Sequence, residues 1–249
     1  MKDFAGGIVV HLSAGFAALA SVFVVGGRGL QPGEKLAPHT IAFVALGTGL
    51  LWFGWFGFNA GSAGAVNGQA AVAFVNTDIV GSFSMLTWLV LAWYREKKPG
   101  MIGAMTGAVA GLACVTPTAG FVDPWAAAVI GMAAGSVCYG ACIFRAKAGW
   151  DDALDVWACH GVGGVLGIVL TGVFSVATFA GLAGAGLVYG GVHLFGVQLA
   201  GAAITIAYSF GITWLILKFV NIFVPVRVSA EEELDGLDEA EHGEIAYAS

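Results

Sequence analysis

Charge is scarce in this sequence. Only 10% of its 249 residues are charged, whereas 58% are hydrophobic, and the mean hydropathy is +0.86. A soluble domain needs more polar side chains than this to cover its exterior. The composition therefore excludes a soluble globular protein and predicts a chain that crosses a membrane several times.

Motifs of common enzymes are also lacking. The sequence has no glycine-rich phosphate loop, no arrangement typical of a catalytic triad, no cluster with metal-ligand spacing and no basic patch suited to nucleic acid. Its four cysteines lie in or beside apolar segments, where we expect small buried side chains and neither disulfides nor a metal site. The sequence thus predicts a protein that is not an enzyme, binds no nucleic acid and needs no cofactor or metal ion.

Apolar segments of about 20 residues, long enough to cross a bilayer as a helix, recur along the chain. We predict seven, at 4–25, 39–60, 70–93, 100–120, 124–144, 155–176 and 193–219. Of the charged residues, only Asp78, Asp155 and Lys218 fall inside these segments. The predicted fold is all-α, a polytopic bundle of membrane helices.

The cations are distributed asymmetrically. If successive connections alternate between the two sides of the membrane, one side receives Arg28, Lys35, Arg95, Lys97, Lys98, Arg145, Lys147, Lys218 and Arg227. The other side receives only Lys2. Because cytoplasmic loops are enriched in Lys and Arg, this pattern predicts a cytoplasmic C-terminus and an external N-terminus. With no signal peptide to carry that N-terminus across, we expect further spans to precede Met1.

The spacing Asp-x7-His-x3-Gly occurs twice. The copies are Asp3, His11 and Gly15, and then Asp152, His160 and Gly164. An ionisable residue inside a membrane is costly and normally faces a partner, a cavity or a transport path. Eight helical residues span about 12 Å, so the two histidines approach similar depths from opposite faces of a core about 30 Å thick. This is the pattern of inverted repeats with a site at their interface; the alternative is that each histidine bonds a neighbouring helix.

The acidic residues near these histidines favour a structural role. Asp3 and Asp152 each precede an apolar helix, as helix N-caps do. Asp155 follows Asp152 by three residues, which resembles a capping arrangement. We therefore interpret all three aspartates as structural.

A second concentration of polar and aromatic residues lies at 51–62. Trp55, Phe58, Asn59 and Ser62 share one face of a helix. Aromatic rings can hold a small cation, and a hydroxyl can accept a hydrogen bond from an N–H donor. The alternative is ordinary packing or an aromatic belt at the membrane interface.

Five segments, in order along the chain, carry a specific resemblance. They are DFAGGIVVH at 3–11, WFGFNAGS at 55–62, AFVNT at 73–77, DDALDVWACHGVGG at 151–164 and GLD…EHGEIAY within 236–247. Together they resemble the ammonium transporter (Amt/Mep/Rh) family. The resemblance covers the whole chain but about the last three fifths of a family member. It implies spans five to eleven of an eleven-span inverted-repeat fold, incomplete at the N-terminus.

The resemblance also implies roles for particular residues. By it, His11 and His160 are the twin histidines of the pore, Phe58 is a gate phenylalanine, Trp55 is a pore-lining indole, and Ser62 belongs to the external ammonium site. The family's mechanism is that ammonium loses a proton and ammonia crosses an apolar pore. Family members are homotrimers of the cell membrane, and many are regulated by a PII-type signalling protein at the cytoplasmic face. We accordingly expect a transmembrane domain at 1–224 and a cytoplasmic regulatory region at 225–249.

Two other functions stay open. A chain without the first four spans lacks part of the pore wall, which leaves an ammonium sensor or a nonconducting fragment as alternatives. A seven-span photoreceptor would need a lysine and an acid within the membrane, which Lys218 and Asp78 superficially provide. However, Lys218 lies about 15 Å from the centre of its helix. Asp78 lies inside the third apolar segment, where family members generally carry an uncharged residue, and its role stays open.

Overall fold

The computed structural model describes residues 1–29, 38–181 and 185–245. Lys35 and Tyr247, which contribute to the charge pattern and to the last motif, lie outside these ranges. Within them the chain is helical and has no strand, which confirms the predicted all-α bundle.

Six helices are long and apolar enough to cross a membrane. They are α1 (Gly7–Val25), α2 (Ile41–Gly61), α3 (Gly68–Glu96), α5 (Pro124–Lys147), α6 (Trp157–Phe174) and α7 (Val192–Phe223). A shorter apolar helix, α4 (Met101–Val115), completes the seven. Two short helices, α8 (Ala230–Asp235) and α9 (Leu237–His242), follow α7. Each predicted apolar segment therefore overlaps one of these seven helices.

The predicted span 100–120 is too long. Helix α4 ends at Val115, and residues 116–122 form turns. The end of α4 is stabilised from elsewhere in the chain, since the backbone carbonyls of Thr116 and Pro117 accept hydrogen bonds from the N–H groups of Ala5 and Phe4. Hydropathy does not register this end because the turn residues are themselves apolar or small.

Glycines let α3 pack closely against α4 and α5. A Cβ atom added to Gly107 of α4 would lie 2.6 Å from the Cβ of Trp88. One added to Gly135 of α5 would lie 2.5 Å from the carbonyl oxygen of Ser84. Both distances are too short for a real side chain, so small residues set the separation of these helices.

Charged groups show which helix ends share a side of the bundle. Arg28, just after α1, pairs with Asp151, just before α6. Arg227, beyond α7, bonds the carbonyl of Val25 at the end of α1 and pairs with Glu233 of α8. We call this the Arg28 side. The start of α1 and the start of α6 therefore lie on opposite sides of the bundle, so these two helices are inserted in opposite directions.

Helices α2 and α7 have the fewest buried side chains of the long helices. In α2 the buried residues are Trp55 and Asn59. In α7 they are Leu194, Gln198 and Ala202. Both helices consequently present long apolar faces outward, which is appropriate for contact with lipid or with another protein.

Candidate functional site

His11 and His160 are in contact in the folded chain. Their Nδ1 atoms are 3.1 Å apart, and their ring centroids are 5.1 Å apart with planes inclined by 30°. His11 is buried and His160 is partly buried. Two residues 149 positions apart in the sequence are thus in direct hydrogen-bonding contact.

Both histidines lie on π-helical turns. The first six residues of α1, Gly7–Leu12, and the first six of α6, Trp157–Val162, are π-helix, after which each helix continues as α-helix. The π-helix is rare and occurs mostly as single turns, frequently at functional sites. Its wider turn alters which side chains face inward, and here it does so at both members of the pair.

The motif aspartates hold the start of these π-turns. Asp3 accepts hydrogen bonds from the N–H groups of Gly7 at 2.6 Å and Ile8 at 2.9 Å. Asp152 accepts one from Trp157 at 2.8 Å. Burial raises the pKa of the Asp3 carboxyl, and its backbone hydrogen bonds oppose this rise. Both carboxylates therefore satisfy N–H groups that the first helical turn leaves unpaired.

Asp155 does not resemble the other two aspartates. Its carboxylate pairs with Arg145 at the end of α5, with an N–O distance of 2.8 Å. Its backbone is in the left-handed region, with φ of 53°, and its carbonyl accepts from the N–H of Cys159. Asp155 thus connects α5 to the start of α6 by an ion pair and does not cap the helix with its side chain.

The glycine that ends each copy of the repeat allows close contact between α1 and α6. A Cβ atom on Gly15 would lie 2.1 Å from the backbone nitrogen of Gly161. One on Gly164 would lie 2.9 Å from the backbone nitrogen of Leu12. Each motif glycine therefore packs against the residue that follows the histidine of the other copy. This reciprocal contact brings the two backbones close enough for the imidazoles to touch.

Thr116, which sequence reasoning missed, is the polar centre of the cluster. Its hydroxyl lies 3.0 Å from Nε2 of His11, accepts from Nε1 of Trp55 at 3.0 Å and lies 2.9 Å from the Leu112 carbonyl, to which it can donate. Thr116 is fully buried. A single threonine within the predicted apolar segment 100–120 carries no sequence signal, because its importance arises only when α1 and α2 fold against it.

Aromatic rings cover one face of His11. Trp55 stacks on it with ring centroids 5.2 Å apart and planes inclined by 19°. Phe58 lies 6.1 Å from His11 and 5.9 Å from Trp55, and 39% of its surface is exposed. A cleft of about 460 Å³ opens onto this group, lined by Val10, His11, Leu50, Leu51, Gly54, Trp55 and Phe58. The structure thus brings together four of the predicted site residues, His11, His160, Trp55 and Phe58.

Ser62 lies apart from this cluster. It follows the last residue of α2, is exposed, and donates a hydrogen bond to the Phe58 carbonyl at 2.8 Å. In residues 1–29, 38–181 and 185–245 it makes no contact with either histidine. Asp78 is likewise remote, exposed on α3 with no hydrogen bond or ion pair to other described residues. Nor does that part of the chain contain a group of three or more His, Cys, Asp or Glu residues placed to hold a metal ion.

These features define the class of protein: a polytopic membrane protein in which oppositely inserted helices bring two histidines together beside an aromatic cleft. Residues 1–247 match the Ammonium Transporter Family. The chain is 44% identical to an ammonium transporter of Bacillus subtilis over 246 residues, covering 98% of this chain and 60% of that protein. It is 46% identical to ammonium transporter Amt1 of Archaeoglobus fulgidus, covering 98% and 62%.

Solved structures agree with the sequence comparisons. Candida albicans Mep2 superposes with a TM-score of 0.84 at 36% identity, over 93% of this chain and 53% of that one. A sensor Amt protein superposes with a TM-score of 0.87 at 30% identity, over 96% and 60%. The chain belongs to the ammonium transporter family and is a multi-pass membrane protein. Its curated relatives are named transporters and not enzymes, and the chain spans about three fifths of their length.

Proposed function

We propose that this chain moves ammonium or ammonia across the cell membrane, with His11 and His160 as the polar pair of the pore. The observation that carries this proposal is the 3.1 Å contact between the two imidazoles, on oppositely inserted helices of an ammonium transporter family member. Ionisable groups inside a membrane are costly and mark transport paths.

The cleft beside His11 fits a route that excludes the charged form of the substrate. Trp55 and Phe58 offer ring faces that attract a small cation at the mouth. Beyond them the lining is mostly apolar, and an unpaired ion in such surroundings is strongly destabilised. We propose that ammonium arrives at the aromatic mouth, loses its proton there to solvent water, and continues as ammonia. Ser62, one turn beyond Phe58, is proposed to take part in the first encounter.

Hydrogen-bond chemistry suggests what the histidine pair does. When Thr116 donates its only hydroxyl proton to the Leu112 carbonyl, His11 must donate from Nε2 and accept at Nδ1. His160 then donates from Nδ1 and presents Nε2 as an acceptor. If the Thr116 hydroxyl instead donates to His11, both imidazoles must hold the other tautomer, so that His11 donates from Nδ1 and His160 presents Nε2–H as a donor. The direction of the Thr116 hydroxyl is therefore linked, through these tautomers, to whether the pair accepts or donates a proton at its far end.

The role of His160 is testable in proteoliposomes made with this chain. We expect His160→Ala to lower ammonium flux by up to about tenfold or to change its selectivity, because a hydrogen bond contributes about 0.5–1.5 kcal/mol. The measurement is internal pH change after an ammonium gradient is imposed. His193→Ala is the control, since His193 is exposed at the start of α7. Unchanged flux and selectivity in His160→Ala would overturn the assignment.

An ammonium sensor is the second candidate, favoured by the similarity to the sensor Amt protein. A sensor binds ammonium without sustaining flux. Ammonium-dependent thermal stabilisation of the detergent-solubilised chain, together with no flux in proteoliposomes, would favour sensing. Flux that is lost in His160→Ala would favour transport.

The remaining expectations concern the arrangement in the membrane. We propose that residues 1–224 form the membrane domain and that 225–249 form a cytoplasmic region that binds a PII-type protein. The cation asymmetry supports this orientation, because Arg28 and Arg227 lie together on one side. The outward apolar faces of α2 and α7 are consistent with a homotrimer. Labelling of single cysteines placed at 240 or 63 with a membrane-impermeant reagent tests the orientation.

A further inference from the structure

Helices α5 and α6 pack in opposite directions with a register that two contacts define. A Cβ atom on Gly163 of α6 would lie 3.4 Å from the sulfur of Cys138 on α5. Further along α5, Arg145 pairs with Asp155 just before α6. As the position on α5 increases from 138 to 145, the facing position decreases from 163 to 155. Between these two contacts, later positions on α5 must therefore face earlier positions on α6.

This register places Cys142 opposite Cys159. Cys142 lies four residues, about one turn, beyond Cys138, and Cys159 lies four residues before Gly163. The packing agrees, because Cys142 packs against the buried cluster that contains both Cys138 and Cys159. Cys159 is buried, whereas Cys142 is partly exposed, and neither forms a disulfide. The chain thus holds two free thiols side by side.

We propose that Cys142 and Cys159 form a dithiol site for trivalent arsenic compounds. Thiol sulfur is a soft ligand that selects soft partners, and trivalent arsenic is such a partner with a pyramidal geometry. Two sulfurs that face each other between α5 and α6 can therefore occupy neighbouring positions on one arsenic atom. The partial exposure of Cys142, beside the polar pair of Arg145 and Asp155, gives a reagent access to the buried Cys159.

The reaction balances without an oxidant or a change of charge. With phenylarsine oxide, both S–H bonds break and two As–S bonds form. The oxygen leaves with the two protons as water, and arsenic keeps its phenyl group as third substituent. No third protein ligand is needed, which suits a site formed by only two cysteines.

Phenylarsine oxide itself is the probe, applied to the purified full chain in detergent. Intact-mass spectrometry should show one phenylarsenic adduct that survives excess monothiol and is removed by a dithiol. Cys142→Ser and Cys159→Ser should each lose the monothiol-resistant adduct. Cys114→Ser should keep it, because Cys114 is fully buried on α4 and is not part of the pair.

Two results would overturn the site. One is a wild-type chain that takes up no monothiol-resistant adduct. The other is an adduct that persists in either single variant of the pair, which would place it on other cysteines. Circular dichroism verifies that each variant is folded. Where a serine variant does not fold, the alanine variant at the same position replaces it in the comparison.

Discussion

At the scale of the residue, one hydroxyl group connects the parts of the cluster. Thr116 contacts His11 from α1 and Trp55 from α2, and its own turn follows α4. His11 is 105 positions away in the sequence and Trp55 is 61. The arrangement of the imidazole and the indole around this oxygen therefore depends on three helices meeting at one point.

Replacing Thr116 tests this connection. Thr116→Val keeps the shape but removes the acceptor for Trp55 and the partner of His11, and each buried group left unpaired costs roughly 1–3 kcal/mol. We expect lower thermal stability and altered ammonium flux. Thr116→Ser, which keeps the hydroxyl, is the control and should stay near the wild type. Equal stability of the valine variant and the wild type would contradict this reading.

At the scale of the element, the two copies of the repeat behave as matched halves. Each begins with an aspartate that accepts a hydrogen bond from backbone N–H at the start of the helix, continues as a π-turn that carries the histidine, and ends at a glycine that admits the other helix. The aspartate thus fixes where the helix begins, the π-turn sets the width of the turn that carries the histidine, and the glycine sets the distance between the two helices.

Gly15→Ala tests the glycine contact. The new methyl group would lie 2.1 Å from the Gly161 nitrogen, so the helices must separate, and overpacking of this kind costs about 1–3 kcal/mol. We expect a lower melting temperature and a loss of flux. The matched control is Gly47→Ala on α2, where nothing lies within 4 Å of the new atom. Alanine favours helix at such a position, so this control should be neutral or slightly stabilising. A Gly15→Ala chain as stable and active as this control would contradict the proposed contact.

The sequence predicts helices better than it predicts their local form. Apolar length locates all seven helices, and the repeat identifies the two histidines that meet. The π-turns are not predicted, because a six-residue π segment has the same composition as an α-helical one. The ion pair of Asp155 and the contacts of Thr116 are not predicted either, since their partners come from other helices. The reciprocal position of the motif glycines depends in the same way on how α1 crosses α6.

At the scale of the whole molecule, an electrostatic network joins the ends of three helices. On the Arg28 side, Arg28 pairs with Asp151, Glu233 accepts from the Gly29 N–H, and Arg227 pairs with Glu233. Ser229 begins α8 with a capping box, which fixes the direction of the segment that follows α7. The C-terminal segment is thereby held against the end of α1 and, through Asp151, near the start of α6.

This network predicts a pH dependence. The Arg28 side chain lowers the pKa of Asp151 to about 2, below its value of about 3.9 in an unfolded chain. The contribution of the ionised Asp151 carboxylate to the free energy of unfolding is therefore complete above pH 4 and is lost as the pH falls through 2. Because Arg28 is exposed and Asp151 is partly exposed, solvent screens the pair, and we expect a contribution of only about 0.2–1 kcal/mol.

The measurement compares the wild type with Asp151→Asn across this pH range. The difference in unfolding free energy should be full at pH 7 and should narrow from pH 4 downward. Asp235→Asn, at an exposed position at the end of α8, is the control and should show no such difference. A difference in unfolding free energy between the wild type and Asp151→Asn that does not change with pH would show that the ion pair is not its cause.

The crosswise glycines have a consequence for how this architecture is inherited. Because Gly15 has no side chain, Gly161, which follows His160, can pack against it, and Leu12, which follows His11, packs against Gly164 in the same way. Each copy therefore depends on the glycine of the other copy for the space next to its histidine. A gene segment encoding one copy specifies only half of the contact, and a change in one copy alters the selection on the other. The two stretches of sequence, although far apart in the chain, are therefore expected to evolve as a single unit.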